Sequence, residues 1–195
     1  EEIKGVSRRP PVVVSIESTP GWSRSAGVSP LAARVAELFA RLSTTGRSSN
    51  GSSLEVVELQ RLTGAADEHL IDAISELEDV HLVKPRHVIG ARPFGYVTVE
   101  ATDRLFWLID PIVMGWDVHK DAVRIAAEVV NAPNQSVQMF ELAPRLGWLP
   151  RRLNPALSFL IAKNLVMHCR NLDAEFVTSQ INMTPATRRF LREHS

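Results

Sequence analysis

The chain has 195 residues, with 22 Lys and Arg against 22 Asp and Glu, and one cysteine. This length fits one or two domains of roughly 100–150 residues, and 45% hydrophobic with 23% charged residues exclude a disordered chain. No apolar run approaches the roughly 20 residues of a membrane span, and no secretory signal is evident. The single thiol, Cys169, excludes an internal disulfide. We therefore expect a cytoplasmic protein with no membrane contact.

The N-terminal segment, residues 1–29, differs from the rest of the chain. Residue 1 is Glu rather than Met, so we expect the chain to be a fragment or a processed product. The segment holds three prolines and a short β-branched run at residues 12–16. Such a composition indicates an arm or linker that docks on the body or on a partner.

Three helices are predicted in the following segment. Ser29 before Pro30 is a helix start signal, and apolar residues then recur at helical spacing to residue 42. Residues 43–53 are polar and rich in Gly and Ser, which predicts a mobile loop. Two further helices are predicted at residues 54–62 and 67–79, separated by a turn at Gly64.

A hairpin and an apolar connector follow these helices. Residues 81–89 and 96–100 are strand-like, with a loop between them. Residues 101–119 are predicted to be helical until a break at Asp110-Pro111. Because the connector is so apolar, we expect it to be buried between two halves of the molecule.

The second half of the chain repeats the first. At a shift of 83 positions, nine of the 29 residues from 55 to 83 are identical to residues 138–166, whereas random pairing gives about two. The identical pairs include Glu58/Glu141, Leu59/Leu142, Gly64/Gly147, Leu70/Leu153 and Leu77/Leu160. A later shift of 84 pairs Phe106 with Phe190. We predict an arm at 1–29, domains at 30–110 and 118–195, and a connector at 111–117.

Each copy is predicted as three helices, with a glycine turn between the second and third, followed by a hairpin and a further helix. With the repeated residues just given, this order resembles the winged-helix superfamily, and in particular the MarR group of bacterial regulators. The resemblance implies a mainly α fold with small β wings, as two tandem winged-helix domains related by the repeat. It also implies either DNA reading or protein interaction, since winged helices serve both purposes.

The charges of the first copy argue against DNA contact through its third helix. Residues 30–111 carry eight basic and twelve acidic side chains, a net charge of −4. Six of the acids fall between Asp67 and Asp79, where a DNA-reading winged helix faces a polyanion. The hairpin of this copy is basic, and Arg86 and Arg92 are its candidates for DNA contact.

The second copy has the opposite balance. Residues 112–195 carry ten basic and seven acidic side chains, a net charge of +3. Its third helix and the helix before it supply residues suited to phosphate or base contacts: Arg145, Arg151, Arg152, Asn154, Ser158 and Lys163. The alternative is that the arginines are ordinary solvated charges. Pro155 either interrupts this helix or starts it late with Asn154 as its cap.

An apolar set on the same helix favours a different interpretation. Phe159 and Ile161 align with Glu76 and Glu78 of the first copy, so we expect them to be exposed beside Trp148. Such a patch is typical of a dimer or partner interface. The alternative is that the second copy tilts against the connector and buries these residues within the chain.

Catalysis, metals and cofactors have little support in the sequence. None of the six histidines pairs with another at helical spacing, and no phosphate loop or hydrolase motif occurs. We therefore expect a protein that is not an enzyme and needs no cofactor or metal.

The leading hypothesis is a DNA-binding module in transcriptional regulation, which binds double-stranded DNA through the third helix of the second copy. The alternative is a protein-interaction module that acts as an adaptor, a homodimer or part of a larger assembly. A third possibility is the regulatory part of a larger effector protein.

Overall fold

The computed structural model describes residues 21–48, 52–169 and 175–194. Most of the predicted arm therefore lies outside the described residues. The described part is mainly helical, with two small antiparallel sheets, which confirms the mainly α class with small β elements.

The first half contains five helices and three strands within the described residues. After a short helix α1 (Gly21–Ala26), the elements are α2 (Pro30–Leu42), β1 (Ser53–Glu55), α3 (Val56–Thr63), α4 (Asp67–Asp79), β2 (Val83–His87), β3 (Tyr96–Ala101) and α5 (Asp103–Val113). The sheet has the order β1-β3-β2. The predicted bounds of α4 are confirmed, whereas the short strand β1 was not predicted.

The predicted start of α2 is confirmed by its cap. The Ser29 hydroxyl accepts a hydrogen bond from the Ala32 amide at 3.2 Å, and Pro30 occupies the first helical position, where no amide donor is needed. The Ser29 amide in turn donates to the Glu76 carboxylate at 2.6 Å. This second bond ties the start of α2 to α4.

The second half repeats the element order of the first. It consists of α6 (Val118–Asn131), β4 (Ser136–Gln138), α7 (Met139–Leu146), α8 (Pro150–Ala162), β5 (Val166–His168), β6 (Gln180–Met183) and α9 (Pro185–His194), with sheet order β4-β6-β5. The bounds of β4, α7 and α8 lie 83 residues after those of β1, α3 and α4. The left-handed turns also repeat, at Gly64 with Gly147 and at His81 with Asn164.

The offset after the hairpin is smaller than predicted. Val99 pairs with Leu54 of β1, and Ile181 pairs with Val137 at the same position of β4. Val99 and Ile181 are therefore equivalent residues of β3 and β6. The Thr102 and Thr184 hydroxyls donate to the carbonyls of Leu82 and Leu165. Val99 and Ile181 are 82 residues apart, and so are Thr102 and Thr184. The predicted shift of 84, which pairs Phe106 with Phe190, is therefore wrong. The first half has the longer hairpin.

Each half has its own buried core. In the first, α2, α3, α4 and α5 contribute Phe39, Leu59, Ile74 and Phe106. In the second, α6, α7 and α8 contribute Ile125, Leu142 and Leu160. Burial of these apolar side chains is the main source of stability in both halves.

Both predicted proline breaks are wrong. Pro111 lies inside α5, which continues to Val113 and so crosses the predicted domain boundary at residue 110. Pro155 lies inside α8, which is continuous from Pro150 to Ala162. A proline removes one backbone hydrogen bond, and tertiary contacts around both helices outweigh that loss. Among the residues described, no helix is both long and apolar enough to cross a bilayer.

Candidate functional site

Arg151 joins the two halves of the molecule. Its side chain is only 6% exposed and donates to both carboxylate oxygens of Asp110 on α5, each at 2.6 Å. Its Nη2 also donates to the carbonyl of Ala40 at 2.7 Å, and its guanidinium lies 4.8 Å from the Phe106 ring centroid. Burial raises the pKa of the Asp110 carboxyl, while the Arg151 guanidinium opposes that rise. The arginine therefore serves as an internal partner for a buried acid.

Asn154 is fully enclosed on the same helix. Its Nδ2 donates to the carbonyls of Thr45 at 2.9 Å and Glu175 at 2.7 Å, and its Oδ1 accepts from the Val177 amide at 3.0 Å. Both ends of the amide are thus engaged, and Asn154 ties α8 to the loop after α2 and to the segment before β6. It lies within the helix and does not cap it.

Trp107 on α5 forms a third link to α8. Its Nε1 donates to the Pro155 carbonyl at 3.1 Å and to the Ser158 hydroxyl at 3.0 Å. Its ring also contacts Phe159 edge-on, with 5.7 Å between centroids. Through this contact, Trp107 of the predicted connector lies between the two halves, as expected. Leu108 and Ile112 of α5 are nevertheless exposed.

The loop after α2 approaches α8 very closely at Gly46. A Cβ placed on Gly46 would lie 2.8 Å from both the Arg151 carbonyl oxygen and the Arg151 Nη1. The Arg151 carbonyl has no helical donor because Pro155, four residues later, lacks an N–H. The described part of the predicted mobile loop, residues 43–48, is therefore packed in part against the second half.

These contacts correct three predicted DNA-binding positions. Arg151, Asn154 and Ser158 are buried, whereas the DNA contacts predicted for them require exposed side chains. The physical reason for Arg151 and Ser158 is that α5 contains a buried acid and an indole donor, whose partners they are. Asn154 is buried because it bonds backbone groups of the loop after α2 and of the segment before β6. A buried charge requires such compensation, whereas a surface charge does not.

The other predicted DNA-contact residues are more accessible. Arg152 is half-buried and pairs with Asp121 at 2.7 Å, above the Trp148 ring. Arg145 pairs with Glu128 at 2.9 Å. Arg92 and Lys163 are exposed. Arg86 is also exposed and pairs with Glu100. Whether any of these residues contacts DNA stays a prediction.

The predicted apolar patch on α8 is not open. Trp148 is buried, and Phe159 and Ile161 are only partly exposed because they pack against the second core. Phe159 additionally contacts Trp107 of the first half. Of the two interpretations, intramolecular burial describes these residues, and their expected exposure is wrong.

Helix α4, the counterpart of α8, presents an acidic surface. Glu68, Asp72 and Asp79 are exposed and share one stripe of the helix, with spacings close to whole turns. None of these three has a cationic partner among the residues that the structure describes. Of the six acids of this helix, Glu68, Asp72, Glu78 and Asp79 are exposed, while Asp67 and Glu76 are half-buried.

An open cleft of about 460 Å³ lies between α3 and the hairpin of the first half. We call it the hairpin groove. Its apolar lining includes Val57, Phe94, Tyr96 and Val97, and its charged lining among the described residues is Glu55, Asp67 and Arg92. Asp67, the first residue of α4, makes the groove continuous with the acidic stripe.

A register shift in the hairpin explains how Val97 comes to line the groove. Arg86 pairs with Thr98 but His87 pairs with Tyr96, so Val97 is an extra residue in β3. Such a bulge redirects side chains between the two faces of a sheet. Val97 is consequently exposed whereas Tyr96 is 6% exposed. The Tyr96 hydroxyl is buried with no hydrogen-bond partner among the described residues.

Tyr96 is also electrostatically unusual. Burial of the phenol, together with the nearby negative charge of Glu78, raises the pKa of Tyr96 to about 12. The hydroxyl therefore remains a neutral donor at any physiological pH. A buried donor of this kind is costly to leave unpaired.

The second half has a smaller cleft at the equivalent place, about 280 Å³, lined by Phe140, Trp148 and Phe176 among others. Phe140 lies 83 residues after Val57, and the two are equally exposed, at 64% and 66%. At the corresponding hairpin, the Thr178 hydroxyl donates to the Cys169 carbonyl at 2.7 Å. The Thr178 hydroxyl thus has an acceptor, whereas the Tyr96 hydroxyl of the first half has none among the described residues.

The described residues contain no group of three or more His, Cys, Asp or Glu side chains that could hold a metal ion. The Cys169 thiol is free and exposed. No family model, curated protein or solved structure matches the chain.

Two features of the structure escaped the sequence analysis. Asp110 lies in the apolar run of α5, and an acid in such a setting could have indicated a buried charge in need of a cation. The hairpin groove gave a weaker signal, because Val57 and Val97 come together only through the hairpin bulge.

Proposed function

We propose that the chain is a tandem winged-helix module that binds a protein partner. The winged-helix assignment is supported by the order helix, strand, helix, helix, strand, strand in both halves, and by the equal sheet orders. Assignment of fold does not by itself decide between DNA and protein as the ligand, so the choice depends on the available surfaces.

The observation that carries the proposal is the position of α8. In the DNA-binding mode, the third helix of a winged helix lies in the major groove, but α8 packs on the first half through Arg151, Asn154 and Trp107. Its counterpart α4 is exposed but acidic, and would repel phosphates. The hairpin groove and the acidic stripe are open, and both suit a protein ligand.

The test compares protein and DNA ligands on the full chain. The immobilised chain is exposed to an extract of the cells that express it, with and without nuclease, and retained proteins are then purified and remixed with it. We expect a partner that survives nuclease treatment and forms a complex of fixed stoichiometry in sedimentation. Retention that disappears with nuclease, together with salt-sensitive binding of labelled duplex DNA, would contradict the proposal.

Duplex DNA binding is a second candidate, supported by exposed cations away from α8. Arg92 and Lys84 are exposed on the first hairpin, and Arg188, Arg189 and Arg192 are exposed on α9. Contacts of this kind are made to phosphates, so affinity would fall steeply with salt. If DNA binds, Arg92→Ala should reduce the salt dependence measured by fluorescence anisotropy, by about one phosphate contact.

A further inference from the structure

The hairpin groove has the characteristics of a site for a side-chain anchor. Its size is within the range of pockets that enclose small ligands, roughly 300–1,000 Å³. Val57 and Val97 are large apolar residues that remain exposed at its walls. Exposed apolar residues gathered in a cleft indicate an interaction site, whereas scattered ones do not.

The charges around the groove restrict the chemistry of its occupant. Of the residues that the structure describes, Glu55 and Asp67 line it together with the cation Arg92. Asp67 is held by a hydrogen bond from Gln60. Beyond Asp67 the surface continues into the exposed carboxylates of Glu68 and Asp72. A complementary ligand places an apolar group in the groove and a positive charge over the start of α4.

Resting on the protein-binding function proposed above, we propose that the hairpin groove binds a linear segment of a partner protein, with an aliphatic or aromatic anchor next to Lys or Arg. The anchor occupies the space between Val57 and Val97. The basic residue lies over Asp67 and Glu68.

The second half supplies a matched control for this site. Phe140 is the counterpart of Val57 and is equally exposed, but its cleft is smaller, and among the described residues Glu175 is its charged lining residue. Val57→Asp and Phe140→Asp therefore introduce the same charge at equivalent helical positions. Only the first of them places it in the hairpin groove.

The experiment selects a random linear peptide library, displayed on phage, against the immobilised full chain. Enriched peptides are labelled and their affinity for the chain is measured by fluorescence anisotropy. We expect enrichment of an apolar residue close to Lys or Arg, and a loss of about tenfold or more in affinity on Val57→Asp, as for an interface hot spot. Phe140→Asp should change the affinity by less than about twofold, because surface substitutions outside a hot spot have little effect.

Charge reversal tests the basic part of the ligand. Glu68→Lys with Asp72→Lys should weaken the same peptide several-fold and reduce its salt dependence, since both residues are exposed. Thermal melts establish that each variant is folded. If Val57→Asp fails to fold, Val97→Lys replaces it with the same expectation.

Four outcomes would overturn the proposal: no enrichment, enrichment of acidic peptides, equal effects of Val57→Asp and Phe140→Asp, or binding that appears only after deletion of residues 1–20. The last would mean that the chain's own N-terminal segment occupies the groove. A nuclease-resistant partner that Val57→Asp leaves bound would reject the groove but retain the proposed function. The absence of any protein partner would reject both.

Discussion

Helices α4 and α8 occupy equivalent places in the two halves, yet their surroundings are opposite. Both have thirteen residues and begin after a left-handed glycine turn. Position 68 of α4 is an exposed glutamate, whereas its counterpart Arg151 is enclosed by Asp110, Ala40 and Phe106. Repetition of a fold therefore does not repeat its surface. Helix α4 exposes acidic side chains to solvent, whereas α8 bonds to the first half of the molecule.

Among the substitutions that test this difference, removal of the Arg151 side chain should have the largest effect on the free energy of unfolding. Arg151→Ala leaves the Asp110 carboxyl buried without its cation, and breaking a buried pair in this way costs about 3–5 kcal/mol of unfolding free energy. Glu68→Ala, at the equivalent exposed position, should change stability by no more than about 0.5 kcal/mol. Denaturant unfolding of both variants provides the comparison.

The double variant Arg151→Ala with Asp110→Ala sharpens that measurement. Because the two side chains share one ion pair, its effect should be smaller than the sum of the two single effects. Strictly additive losses, or a loss below about 1 kcal/mol for Arg151→Ala, would mean that the pair is solvated and that α8 is open.

Substitution of Gly46 should have the next largest effect on the free energy of unfolding. Gly46→Ala places a Cβ against Arg151 at 2.8 Å and requires a left-handed conformation at φ +65°. The backbone cost is about 1–2 kcal/mol, and overpacking adds about 1–2 kcal/mol. Gly64→Ala is the control, since its φ is +67° and nothing lies within 4 Å of the added carbon. The difference between their unfolding free energies isolates the contact between the halves, and equal losses would show that the loop is not packed on α8.

Substitution of Trp107 should have a smaller effect on the free energy of unfolding. Trp107→Phe keeps an aromatic ring but removes the donor shared by Pro155 and Ser158, which should cost about 1 kcal/mol beyond the lost ring volume. Trp22→Phe estimates the volume term, because the buried Trp22 Nε1 has no acceptor among the described residues. Thermal or denaturant unfolding of the two variants should therefore differ by about that amount. Equal losses would mean that the indole bond does not stabilise the interface.

Local features of this fold could be read from the sequence. The Ser29 cap, the bounds of α4 and the 83-residue repeat depend on short-range patterns, and the structure has them. What could not be read was the docking of α8 on α5. Arg151 looks like a surface residue because its partner Asp110 is 41 positions away, and no periodicity links them. Pro111 and Pro155 were misjudged for a related reason, since tertiary packing overrides the local preference of proline to end a helix.

The hairpins of the two halves also differ, and a prediction with no effect on stability at neutral pH tests that difference. Tyr96 is the only tyrosine in the chain, so the phenolate absorbance reports it alone. Its pKa of about 12 in the folded state lies above the ordinary value of about 10. Tyr96 should leave stability independent of pH around neutrality. As pH rises from about 10 towards 12, the unfolded chain loses this proton first, and stability should decline. A phenolate titration of the folded protein with its midpoint near 10 would contradict the burial of the Tyr96 hydroxyl, and with it the contrast with Thr178, whose hydroxyl has an acceptor.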